Sequence, residues 1–148
     1  RHKLAVSSLA ELSSGGWQSV IPDSEADVKK VKRIVLCSGK VYYDLLEQVR
    51  AEKQDNTALI RIEQLYPFPT SELTAQLTRY PKVKDIVWCQ EEPKNQGAWY
   101  CTQHHLLSCV AKSQTVHYVG RPASAAPAVG SPLVHAQEQQ MLVKEALN

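Results

Sequence analysis

The sequence lacks any long apolar run. Its longest unbroken stretches are about four residues, such as Ile34 to Cys37, whereas a membrane-spanning helix needs roughly 20. It also lacks an excess of either charge. Seventeen Lys and Arg face fifteen Asp and Glu, a formal net charge of +2. That is too near balance to argue for a nucleic-acid or membrane-surface partner. Cys37, Cys89, Cys101 and Cys109 form no close-spaced framework. Two of them lie inside apolar runs, which suits buried reduced thiols better than a secreted disulfide scaffold. No GxSxG elbow, HExxH helix, GxGxxG turn or GxxxxGK[ST] loop occurs, and no internal repeat. The usual signatures of serine hydrolases, zinc peptidases and nucleotide-binding loops are therefore absent. With Arg1 in place of an initiating Met and no signal-like stretch, the chain reads as a piece of a longer polypeptide.

What is present is one domain's worth of chain: 148 residues, 43 % hydrophobic and 22 % charged, with a composition close to globular averages. Residues 1–30 differ in texture from the rest. Ser7, Ser8, Ser13, Ser14, Gly15 and Gly16 punctuate scattered apolar positions. This segment reads as a connecting arm, partly helical around Val6 to Leu12, with Val20 to Asp23 extended and ending in a turn. From Val31 to Asn148 a rhythm sets in. Short β-branched runs begin near Ile34, Ala58, Ile86 and Val116, at spacings of 24, 28 and 30 residues. Such runs, with little alternation, suit strands buried on both faces of a parallel sheet.

Helical patterns lie between these runs. Val41, Leu45, Leu46 and Val49 share a face after Ser38-Gly39. Leu73 and Leu77 follow Pro69, and Trp99, Leu106, Cys109 and Val110 stripe a third helix. Ser131-Pro132 offers an N-cap and a first-turn proline for a last helix through Met141, Leu142 and Ala146. Strand and helix in alternation predict right-handed βαβ units and a three-layer α/β domain with a mostly parallel sheet.

In such sheets ligands gather outside the carboxyl ends of the strands. Those ends carry Ser38-Gly39-Lys40, Glu63-Gln64, Glu91-Glu92-Pro93-Lys94-Asn95 and Gly120-Arg121-Pro122. One reading is an anion or nucleotide site at a helix N-terminus, with Lys40 or Arg121 opposite the negative charge. The other, favoured here, is a domain or subunit interface of ion pairs and hydrogen bonds. A phosphate-bearing ligand calls for clustered Lys or Arg, whereas these ends mix Lys and Arg with Glu and Gln. Cys101, His105 and Cys109 would share a helix face, but their span covers about 12 Å of rise. One zinc ion, with ligands about 2.0 to 2.3 Å away, cannot hold both ends. Glu91 and Glu92, adjacent on an extended segment, are expected to point to opposite sides and not to converge as an acid–base pair.

The strand-end segments also carry a resemblance. Val35 to Leu45, Ile60 to Pro69, Trp88 to Pro93, Asn95 to Trp99, Gly120 to Ala125 and His135 to Gln140 resemble, in this order, the C-terminal domain of the 2-oxoglutarate dehydrogenase family. The match extends over nearly all of the chain. It implies a transketolase C-terminal-domain-like fold at the end of a large homodimeric enzyme of the citric acid cycle. Thiamine diphosphate and magnesium would be bound by the preceding domains and none in this one, which also lacks a GDG…N motif. The implied partners are those upstream domains, the dimer mate and the dihydrolipoyl succinyltransferase component, whose lipoyl arm receives the succinyl group. The implied compartment is the cytoplasm of a bacterium or, for a eukaryote, the mitochondrial matrix, with the bacterial origin favoured. The alternatives are an effector-binding module of the same enzyme and the equivalent domain of a 2-oxoadipate dehydrogenase.

Actinobacterial members of the family are activated by acetyl-CoA at this domain. Matching motif to motif, Arg1, Ser19 and Gln64 are retained, while Gly16, Ser71 and Glu72 stand at the basic positions. The resemblance thus implies weak or no activation, with any residual binding left to Arg1, Lys40 or Arg121. Ser19, Lys40, Gln64, Arg121 and Arg1 are the effector or interface candidates; no residue is a catalytic or metal-binding candidate.

Overall fold

The computed structural model describes residues 2–148, so Arg1 lies outside the described residues. In chain order the elements are α1 (Leu9–Ser13), β1 (Val20–Ile21), β2 (Arg33–Cys37), α2 (Val41–Glu52), β3 (Thr57–Ile62), α3 (Thr70–Thr78), β4 (Asp85–Pro93), α4 (Trp99–Cys109), β5 (Thr115–Arg121) and α5 (Pro132–Leu147). The strands form one sheet in the order β1-β3-β2-β4-β5. From β3 to β5 every pairing is parallel, and β1 runs antiparallel along β3.

The period of two along each strand divides the core. Ile34, Leu36, Ala58, Ile60, Ile62, Ile86 and Trp88 face one side, where Leu73 and Leu77 of α3 and Leu106 and Cys109 of α4 cover them. Val35, Cys37, Leu59, Val87 and Cys89 face the other, under Val41, Leu45 and Leu46 of α2 and Leu142, Val143, Ala146 and Leu147 of α5. These twelve strand residues are 2 % exposed or less. Burial on both faces explains why the runs read as continuous rather than alternating. The architecture is the expected three-layer α/β domain with a mostly parallel sheet.

Each helix starts and stops for a local reason. α2 follows Gly39, whose φ of +72° suits a residue without a side chain, and ends at Lys53 in the left-handed region. α3 follows Pro69 and α5 opens with Pro132, where a missing N–H costs nothing. Ser131 caps α5 by position alone: its hydroxyl makes no cap bond, and its carbonyl accepts from the His135 N–H at 3.0 Å.

The arm differs in detail from its sequence reading. Its helix is the single turn α1, shifted to Leu9–Ser13, because Ser8 and Glu11 form a capping box that fixes the start. None of its residues is buried. The extended piece Val20–Ile21 joins the sheet, pairing with Ile62 and Arg61. β3 would otherwise be an edge with unpaired N–H groups. Beyond the two-residue strand, the Asp23 carboxylate accepts the Leu59 N–H at 2.7 Å and those of Glu25 and Ala26 at 2.7 and 2.9 Å.

Candidate functional site

β2 and β4 are adjacent, but the chain leaves β2 toward β3 on one side and leaves β4 toward β5 on the other. This is the reversal of strand order at which a crevice opens beyond the carboxyl ends. A cleft of about 580 Å³ lies there. Ser38 to Lys40 form one wall and Gln90 to Glu92 the other; Leu65 and Tyr66 after β3, and Ala98, Cys101 and His105 by α4, close it.

Gln90 organises the second wall. It is 3 % exposed, and its carbonyl oxygen accepts from the Trp88 indole and from the Trp99 N–H, both at 3.0 Å. Its amide nitrogen donates to the carbonyls of Glu92, Pro93 and Gln96 at 3.3, 3.2 and 2.9 Å. The pairing of β4 with β5 slips between Cys89 and Pro93, and the glutamine amide takes up backbone carbonyls beside that irregularity. Two glycines make room. Gly97 has φ +63°, and a Cβ there would lie 2.9 Å from the Gln90 side-chain amide nitrogen; at Gly120 it would lie 2.7 Å from the Gln90 backbone carbonyl oxygen. The slip also changes the expectation for Glu91 and Glu92: strict alternation would separate them, whereas both line the cleft.

The charges expected to pair across a domain boundary find partners within the chain. Lys40 Nζ lies 2.5 Å from Glu91 Oε2. Arg61 donates to Glu63 at 3.0 Å, and its guanidinium sits over the Tyr42 ring at 4.6 Å. Arg121 is only 8 % exposed. Its guanidinium donates to Glu138 at 2.8 Å, to Gln139 at 3.0 Å and to the Glu91 carbonyl, and meets His135 Nδ1 at 3.3 Å. Gln139 in turn donates to Asp44 at 2.7 Å and to Glu91 at 3.4 Å. The reason is topological. Parallel strands deliver all their carboxyl ends to one edge, and a charge drawn out of water there must be neutralised nearby.

Sequence reading missed Gln90, Glu138 and Gln139. The signal was present for two of them: His135, Glu138 and Gln139 stand at i, i+3 and i+4 and share a helix face. Nothing in the sequence distinguishes Gln90 from an exposed glutamine.

The described effector candidates, Ser19, Lys40, Gln64 and Arg121, do not converge. Ser19 and Gln64 meet at the β1–β3 side, where the Ser19 carbonyl accepts the N–H groups of Glu63 and Gln64 at 2.9 and 3.2 Å. The Gln64 side chain donates to the Pro67 carbonyl at 2.7 Å. Arg121 sits on β5, three strand spacings or about 14 Å from β3. Lys40 lies between them in the cleft, and Arg1 is outside the described residues. Ser71 and Glu72 are exposed on the first turn of α3.

On α4, His105 stacks on Phe68 at 4.9 Å, and Cys109 is buried with its sulfur 3.8 Å from the Thr70 carbonyl. Among the described residues no three His, Cys, Asp or Glu groups could hold a metal ion. Cys37 and Cys89 are wholly buried. Burial raises the Cys37 thiol well above its ordinary pKa and pushes Cys89 up to about 12, so neither is a thiolate near neutrality. In the cleft Lys40 is thus matched by Glu91, and the Gln90 amide is satisfied. Among the described residues no helix is long and apolar enough to cross a membrane.

Comparison with known proteins agrees with the geometry. The family described as 2-oxoglutarate dehydrogenase C-terminal matches residues 6–147. A 2-oxoglutarate dehydrogenase E1 component of Haemophilus influenzae is 57 % identical over 149 residues, covering 100 % of this chain and 16 % of the relative. That of Coxiella burnetii is 55 % identical and that of a Geobacillus strain 43 %, each over 150 residues covering 99 % of this chain and 16 % of the relative. The chain therefore spans about one sixth of the curated relatives it matches. With its three-layer fold, its carboxyl-edge motifs and a match over nearly its whole length, the chain belongs to the 2-oxoglutarate dehydrogenase C-terminal family.

Proposed function

We propose that this chain is the C-terminal assembly domain of a 2-oxoglutarate dehydrogenase E1 component, with residues 1–30 as the connecting arm and residues 31–148 as the α/β body. The whole enzyme is a homodimer of the bacterial cytoplasm. It decarboxylates 2-oxoglutarate and transfers the succinyl group to the lipoyl arm of the dihydrolipoyl succinyltransferase component. Carbon dioxide leaves, and the lipoyl disulfide is reduced as it accepts the acyl group. Thiamine diphosphate, held with magnesium, supplies the carbanion chemistry when bound. This chain lacks the GDG…N motif by which the family is expected to hold magnesium diphosphate. The reading therefore assigns the cofactor to upstream domains, and no catalytic step to this one.

The observation that carries the reading is similarity along the entire chain to proteins about six times as long. Internally neutralised charges at the carboxyl edge suit a domain that must present a fixed shape to its neighbours. The test joins this chain to its upstream sequence and assays 2-oxoglutarate against 2-oxoadipate, with 2-oxoglutarate expected to be the better substrate. Preference for 2-oxoadipate would reverse the substrate assignment. Calorimetric titration of the 148-residue chain alone with thiamine diphosphate and magnesium is expected to give no heat of binding; micromolar affinity would overturn the assembly role.

A further inference from the structure

The amino end of the sheet holds a second cleft, of about 820 Å³, opposite the crevice described above. Its rim carries six exposed cations: Lys29, Lys30, Lys32, Arg79, Lys82 and Lys84. Its one carboxylate, Asp85, is engaged by Arg33 at 2.5 Å and by His117 at 3.4 Å. Of the six cations only Lys30 has a carboxylate partner among the described residues, Asp55 at 2.8 Å. The lining thus concentrates a charge of +5 on a chain whose formal net charge is +2, leaving the remainder at −3.

The floor of this cleft is apolar. Val31, Tyr80 and Val83 are 5, 1 and 2 % exposed, and Val28 and Pro81 continue the surface outward. The Tyr80 hydroxyl is buried and has no hydrogen-bond partner among the described residues. Like-charged side chains gathered over an apolar floor with an unpartnered donor are not accounted for by the fold. Cations do favour helix C-termini, and Arg79 caps α3. That effect fades within the last turn, and the five lysines lie in the segments that lead into β2 and β4.

We propose that this cleft is a docking site for an acidic peptide segment bearing an apolar side chain, its carboxylates on the lysine rim and its apolar anchor on the Val28–Tyr80–Pro81 floor. Charge complementarity selects the anion, and the floor selects a polypeptide over a bare phosphate. Phosphate sites in α/β folds draw on N–H groups at helix N-termini. Here α2, α3 and α4 begin at the carboxyl end, so this end offers an anion side chains alone. Exposed lysines in a loose ring suit several dispersed carboxylates better than one compact dianion. The proposal stands apart from the assembly role and survives its failure.

The test uses the 148-residue chain and a fluorescein-labelled synthetic peptide of alternating Glu and Ser around a central Leu-Trp pair. Binding followed by anisotropy at low salt is expected in the micromolar range and to weaken as ionic strength rises. Replacing the peptide's Glu by Lys should abolish it, and replacing Leu-Trp by Ser-Ser should weaken it several-fold. Lys32→Glu with Lys82→Glu should weaken it tenfold or more. Lys3→Glu with Lys94→Glu makes the same change in net charge elsewhere and should leave it nearly unchanged. Tyr80→Phe keeps the core shape and, because the hydroxyl is buried beneath the floor, should leave peptide affinity nearly unchanged. Equal losses in the two double variants, or tighter binding of ATP than of the peptide at this cleft, would overturn the proposal. So would affinity that survives Lys32→Glu with Lys82→Glu.

Discussion

At the carboxyl end of the sheet, Arg121, Glu91 and Glu63 are drawn partly or wholly out of water, and each has partners. At the amino end, five of the six cations lining the cleft have no carboxylate partner among the described residues, and all six remain exposed. The difference follows from solvation. A charge in water tolerates neighbours of its own sign at small cost, because the medium screens them. A charge removed from water must be matched, or its desolvation goes uncompensated. Near-neutral composition therefore conceals two opposite arrangements: one end spends its charges on internal cohesion and the other leaves them available.

Arg121→Ala breaks this comparison most severely. It strands Glu138 and leaves the Glu91 carbonyl and Gln139 short of a donor, so a loss of about 3 to 5 kcal/mol is expected. In a domain of this size that lowers the melting temperature by on the order of 10 °C. The effect should appear in the isolated chain, since the partners belong to it. A melting temperature within a degree or two of wild type would show that the guanidinium network does not hold α5 to the sheet edge.

Gln90→Leu tests the same end without touching a charge. The Trp88 indole and the Trp99 N–H lose their acceptor. At about 1 to 3 kcal/mol for each of these two unsatisfied buried groups, chemical denaturation should report a loss of about 2 to 6 kcal/mol. Gln90→Glu retains an acceptor but sets a carboxylate against three carbonyls with no cation beside it, and should lose at least as much stability as Gln90→Leu. Stability equal to wild type in both variants would assign the turn into α4 to Gly97 alone.

The buried thiols supply a test of burial without pairing. Their folded-state pKa values lie above the ordinary 9.0, because burial disfavours the thiolate. The unfolded chain therefore releases protons first as pH rises. Stability is fully present below about pH 9 and falls above it, by about 1.4 kcal/mol per pH unit for each thiol until the folded group itself ionises. Cys37→Ala with Cys89→Ala should flatten that alkaline decline while lowering stability at neutral pH through lost packing. An unchanged alkaline slope would assign the decline to tyrosines such as Tyr118, which burial also pushes up to about 12.

The smallest effect is expected where charge is most concentrated. Lys82→Ser and Lys84→Ser should change stability by less than about 0.5 kcal/mol each, or raise it slightly by relieving repulsion. A loss of 2 kcal/mol or more in either would mean that the amino-end cations already have structural partners, and the contrast between the two ends would collapse.

The elements were legible because their signals are local. β-branched runs at 34, 58, 86 and 116 marked the strands, and Pro69, Pro132 and the apolar stripes placed α3, α5, α2 and α4 to within a residue or two. Burial of both faces follows from continuous apolar runs whatever their neighbours are. The motifs at the strand ends were equally visible as text, and so was the family they resemble. What Gln90 does was not visible, since its partners are carbonyls freed by a register slip that no residue announces. Nor was the destination of Arg121, which depends on α5 reaching back across the edge to offer Glu138 and Gln139.

The lysine cleft shows the division most plainly. Lys29, Lys30 and Lys32 are separated from Lys82 and Lys84 by about fifty residues of chain, and a sequence read in order sees two unremarkable polar connections. They become one surface because β2 and β4 are hydrogen-bonded neighbours, Arg33 against Asp85, so the segments feeding them arrive side by side. Local composition and periodicity determine which residues are strand, helix and core, since those depend on a few bonds and on hydrophobic spacing. Which strands become neighbours is settled only when β3 moves to one side of β2 and β4 to the other. That choice of pairing decides which distant charges share an edge.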